Sequence, residues 1–238
     1  MRICRILLPV LAVAIACAIV ASGFGARFGV WDFGVGFAIL MYGAYVGFAV
    51  AAVALVLLII PRTRRGNAGV FMISLVIALA AAAMPTYWRH QARTLPPIND
   101  ITTDFDNPPQ YIAIVPLRAN YPVSAAYGGE ATAKAQRTGY PDIAPIMRKE
   151  SPANAFAKAL AVARDMGWTI VASDEQTGRI EATATTPWFG FKDDVVIRVS
   201  PTPDGSRVDI RSHSRVGRGD IGANARRVRD FTARLNSR

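Results

Sequence analysis

Four groups of residues in this 238-residue chain have types and spacing suited to chemistry. "GRGDIG", from Gly217 to Gly222, has the G-x-G-x-x-G spacing of a turn that cradles a dinucleotide pyrophosphate. Ser212, His213 and Ser214 set hydroxyls beside an imidazole, the materials of nucleophilic hydrolysis. Asp100, Asp104 and Asp106 offer carboxylate oxygens to a hard cation such as calcium. Arg207, Arg211 and Arg215, with Asp194 and Arg198 upstream, offer forked donors that suit phosphate or carboxylate.

The flanking sequence weakens the first three. A dinucleotide site needs a parallel βαβ unit and an acidic residue about 20 positions beyond the glycines. Only 16 residues follow Gly222. Asp220 also puts negative charge where a pyrophosphate would sit. Gly217 and Gly219 are therefore expected to turn a strand sharply into a helix, with Asp220 as its N-cap. The adhesion tripeptide Arg218-Gly219-Asp220 is too short to carry weight beside that role. Neighbours in a strand point to opposite faces, so His213 does not serve Ser212 or Ser214, and no G-x-S-x-G elbow exists. The acidic trio lacks the loop glycine and closing glutamate of a calcium loop, and Pro108 interrupts it. No metal and no cofactor is expected.

The arginines remain. Cross-strand ion pairing is their bland role. The sharper one is a site for an anionic ligand such as a lipid headgroup, formed by Asp194, Arg198, Arg211 and Arg215. Ser212 and Ser214 point to the apolar side, where Asn224 or Arg227 is the expected partner. A competing reading is a hydrolase-like envelope enzyme using Asp193 or Asp194 as acid or base near Arg211 and Arg215.

The elements that would position these residues follow from periodicity. Ser151 and Pro152 start a helix that carries Phe156, Leu160 and Ala163 on one face, and Gly167 stops it. Four alternating runs follow. Trp168, Ile170 and Ala172 share a face, as do Ile180, Ala182 and Ala184; then Val195, Ile197 and Val199; then Val208, Ile210, Ser212 and Ser214. A last helix, from about Ile221, buries Val228, Phe231 and Leu235. Short connections make the strands antiparallel. The predicted domain, residues 151–238, is α+β: a four-stranded antiparallel sheet with two helices packed on one face. The Pro-rich residues 91–150 are expected to be an extended arm without long helices, with one short strand at "YIAIV".

Residues 1–90 are different in kind. Uncharged apolar runs at Ile6–Phe24, Phe33–Ile60 and Ala68–Trp88 predict an α-helical membrane segment of three transmembrane helices. Arg2 and Arg5, then Arg62, Arg64 and Arg65, put the N-terminus and second loop in the cytoplasm, so the C-terminal domain is expected in the periplasm of an inner-membrane protein. Competing readings of the first run are a cleaved signal peptide, with small residues at Ala21, Ser22 and Gly23, or a lipoprotein signal ending at Cys17. Gly43 and Gly47 have the spacing of a close helix contact, within this bundle or in a homodimer. No Asp, Glu, Lys, Arg or His lies inside a run, which disfavours transport. Much of the net charge of +10 flanks apolar runs, and outside the cytoplasm no nucleic acid is expected as partner; the bilayer is. With cysteines only at positions 4 and 17, a disulfide framework is excluded beyond them.

Several stretches resemble the domain of unknown function 1499 family: "INDITTD", "NPPQY", "YPDIAP", "IEAT", "GFKDDVVIRV" and above all "VDIRSHSRVGRGDIGANARRVRDF". They span about residues 98–235. The family often has a histidine where Asn99 stands. The resemblance implies a bacterial envelope protein, with relatives in photosynthetic membranes, and no established activity.

Overall fold

The computed structural model describes residues 2–238, as two compact units. The first contains α1 (Arg2–Arg27), α2 (Phe33–Ile59), the single turn α3 (Pro61–Arg64) and α4 (Ala68–Thr94). Among the described residues, α1, α2 and α4 are the three helices long and apolar enough to cross a membrane. Asp32 starts α2 by accepting from Gly34 N at 2.7 Å and Val35 N at 3.2 Å, answering two orphan helix donors. Gly43 faces Ile19 of α1, and Gly47 faces Ala78 and Ala82 of α4, so each glycine brings α2 close to a helix of its own chain. α4 runs past the apolar stretch, carrying Arg89 and Arg93 on its last turns, where Arg89 donates to Tyr45 Oη at 2.7 Å. This unit also takes in Pro187–Gly190, where Trp188 Nε1 donates to Val20 O at 2.7 Å.

The second unit, residues 92–186 and 191–238, is an α+β domain. Its strands are β1 (Asp100–Thr102), β2 (Ile146–Arg148), β3 (Thr169–Asp174), β4 (Arg179–Thr185), β5 (Lys192–Thr202) and β6 (Gly205–Ser214). The sheet is antiparallel, ordered β1-β6-β5-β4-β3, with β2 also on β6. Six strands replace the four that alternation predicts. The extra two come from the arm and share one edge of β6, β1 against residues 211–213 and β2 against 206–208. Between them Thr103 completes the edge. Its N–H donates to Ile210 O at 3.0 Å, and its Oγ1 accepts from Ile210 N at 2.9 Å.

α6 (Pro152–Asp165) and α7 (Ala223–Asn236) cover one sheet face. Phe156, Val162, Val228, Phe231 and Leu235 meet Ile180, Val195, Ile197, Val208 and Ile210 in the main core. A bulge between Ile170 and Ala172 of β3 puts Ala172 opposite Glu181 and off the face of Ile170, correcting the expected alternation there. Val171 packs instead toward Tyr111, Ile114 and Val196 on the other sheet face.

The arm is more ordered than its prolines suggest. Residues 129–139 form α5 (Gly129–Gly139), between prolines and not through them. "YIAIV" is not a strand. It is a turn leading into a 3₁₀ helix, Val115–Arg118, because its backbone N–H groups are taken by a carboxylate. Glu181, 1% exposed, accepts from Ile112, Ala113 and Ile114 N at 2.9–3.1 Å. The arm thereby roofs the second sheet face.

Candidate functional site

Alternation on β5 and β6 sends Asp194, Arg211, His213 and Arg215 to the arm side of the sheet. The arm brings them Asp100 and Arg118. Arg211, fully buried, holds Asp100 by a two-point fork, Nε to Oδ1 and Nη2 to Oδ2, both at 2.8 Å. Arg215 holds Asp194 the same way, at 2.9 and 2.8 Å. Arg118 completes Asp194 from above at 2.9 Å, and Thr183 Oγ1 donates to its other oxygen at 2.8 Å. Arg118 also donates to the carbonyls of His213, Ser214, Val123 and Ser124 at 2.9–3.3 Å, while its Nε is buried without a partner. Tyr111 lies under this layer, donating to Asp194 O at 2.8 Å, with the Arg211 guanidinium 4.9 Å from its ring centre.

Burial pushes the Asp100 carboxyl up against the pull of Arg211, and pushes the Tyr111 phenol well above 10, so it stays neutral. Burial, then Arg118 and Arg211, drive His213 down to about 2, so its imidazole is neutral too. Three guanidinium groups, Arg118, Arg211 and Arg215, thus face two carboxylates, Asp100 and Asp194, in a space closed to water. The cluster carries a surplus of at least one positive charge. Beside it opens a cleft of about 450 Å³ lined by Tyr111, Val115, Arg118, Tyr121, Val123 and Ala125, among others. Arg118 belongs to both.

The sheet ends in the corner that the glycines make. Gly217 at φ +85 and Gly222 at φ +72 adopt the left-handed backbone that glycine tolerates. Gly219 lies where a Cβ would come 3.3 Å from Pro97 Cα. Asp220 is not itself the N-cap residue, which is Gly222. Its carboxylate reaches past the corner to accept from Gly222 N at 2.8 Å and Asn224 N at 2.5 Å.

A family model described as protein of unknown function (DUF1499) matches residues 100–235. The chain belongs to the DUF1499 family. No curated protein matches it. The DUF1499 stretch begins at Asp100, so both carboxylates and all three guanidiniums of the cluster fall inside it.

Within this DUF1499 domain the residues singled out by sequence are parted. Ser212, Ser214, Asn224 and Arg227 form a separate network on the α7 side. Ser212 donates to Asn224 Oδ1 at 2.6 Å, Asn224 Nδ2 to Ser214 Oγ at 2.9 Å, and Arg227 Nη1 to Ser212 Oγ at 3.0 Å. Asp193 joins them through Arg227 at 2.6 Å. Asp193 and Asp194 therefore serve opposite sheet faces, and of the two Asp194 lies with Arg215. Arg198 is apart from Arg211 and Arg215, bound to Asp104 at 2.7 Å and Asp209 at 2.9 Å. The acidic trio is dispersed: Asp100 belongs to Arg211, Asp104 to Arg198 and Arg207. Among the described residues no group of three or more His, Cys, Asp or Glu is placed to hold a metal ion. Sequence reasoning missed Arg118 and the inward role of Glu181. Arg118 sits in "VPLRANYP", which has no periodicity, and its partner is 76 positions away.

Proposed function

We propose that this DUF1499 protein is an integral inner-membrane protein whose α+β domain, on the periplasmic side, binds a small anion in the Arg118 cleft. One observation carries the binding: a buried cluster with more guanidiniums than carboxylates borders an open cleft. Uncompensated buried charge is costly, and a bound anion offsets it. Arg118 lines that cleft with its Nη groups held by Asp194 and four carbonyls, and its Nε–H is left without a partner for an anion to take up. The membrane placement is supported by three apolar helices and by the basic residues Arg5, Arg62, Arg64 and Arg65 at one set of helix ends.

The test is titration of inorganic phosphate into the full chain, held in nanodiscs of zwitterionic lipid, at rising ionic strength. Saturable binding that weakens with salt is expected. Arg118→Lys keeps a charge for Asp194 but loses the unpartnered Nε–H, and should weaken binding by about tenfold. Equal binding by both proteins, or none by either, would remove this reading.

A further inference from the structure

The cleft does not end in polar groups. Val115, 46% exposed, lines it together with Val123, Ala119 and Ala125. The same short stretch presents Ile112 and Leu117 to the outside, 56% and 49% exposed. Glu181 fixes Ile112 through its backbone N–H, and Arg215 Nη1 donates to Leu117 O at 3.2 Å, so these apolar side chains are held outward by buried ion chemistry. A free phosphate or small dicarboxylate would use the arginine and leave the apolar wall wet.

We infer that the occupant of the Arg118 cleft is amphipathic: a single lipid-like molecule with a phosphate or carboxylate headgroup against Arg118 and acyl carbons along Val115 and Val123. This rests on the anion-binding reading above and narrows it. Charge complementarity selects the headgroup, because a zwitterionic one brings a second cation into a cluster already in surplus. The apolar wall selects the tail. In the membrane placement proposed above, such molecules are within reach of the chain.

The probes are inorganic phosphate, hexanoate, dihexanoyl phosphatidic acid and dihexanoyl phosphatidylcholine. Each is titrated, below its micelle concentration, into the full chain in zwitterionic nanodiscs. Burying even two methylenes is worth about tenfold in affinity, so the phosphatidic acid should bind at least that much more tightly than phosphate. The phosphatidylcholine should show no saturable binding. Val115→Asn, at an exposed position outside the core, should bring the phosphatidic acid down toward the affinity of phosphate. If phosphate and phosphatidic acid bind equally, the anion site stands and the lipid inference falls. If the phosphatidylcholine binds as well as the phosphatidic acid, or Val115→Asn changes nothing, the lipid inference falls. If no anion binds, both fall.

Discussion

His213 shows how far single residues are bent to the cluster. Its Nδ1 lies 3.4 Å from Arg211 Nη2 and 3.6 Å from Asp100 Oδ2. Arg118, Arg211, Asp100 and Asp194 crowd the site from both the sheet and the arm. With its pKa pushed down to about 2, the folded imidazole refuses a proton that the unfolded chain accepts near 6.5. Its contribution to stability is therefore whole above pH 6.5 and is lost as pH falls toward 2. Asp100 and Asp220 work in the opposite sense, because burial raises both. The melting temperature of His213→Gln should accordingly fall less steeply than that of the parent between pH 7 and pH 5. Identical slopes in thermal scans would mean that the imidazole titrates normally.

At the scale of elements, the corner at residues 217–222 joins β6 to α7 by backbone shape and by the Asp220 carboxylate. It is tight enough to hold Ile221 at φ +54, a left-handed value in a β-branched residue. At Gly222 an added Cβ would meet Arg226, Leu95 and Tyr140 at 3.2–3.3 Å in a left-handed backbone. Gly222→Ala should cost about 1–2 kcal/mol, read as a lower denaturation midpoint at unchanged slope. No change at all would mean that the corner relaxes freely.

The elements legible in the sequence are those that alternate or recur over enough residues to show a period. β4, β5 and β6 carry clean apolar alternation, and α6 and α7 carry full apolar stripes. β1 and β2 have three residues each, fewer than any period-2 signal needs. α5 buries Ala133 and Gln136, and Gln136 serves the backbone of Thr102 in both directions, so no apolar stripe betrays it. The arginines of β6 were visible as one face. That the arm would cover them was not, because Asp100 and Arg118 carry no local mark of partners about a hundred residues away.

For the whole molecule, the proposed topology puts both units under one constraint: the basic loop ends stay cytoplasmic and the DUF1499 domain does not. A periplasm-active reporter fused after Arg238 should be active, and one fused in the Arg62–Arg65 loop should be silent. The reverse pattern would place the anion cleft in the cytoplasm and change which lipids it can meet.

The two arm strands that share the edge of β6 impose an order on synthesis. β1 leaves the ribosome before β2, α6 and the whole central sheet, yet its register is to residues 211–213 near the far end of the chain. Until β6 exists, the arm has neither a strand to pair with nor an arginine to hold Asp100. A nascent chain halted before Gly205 would carry a finished N-terminal helical segment and an arm with no place to dock. Closure of this domain is thus deferred until the stretch from Gly205 onward is made, and with it the docking of the arm that lines the cleft.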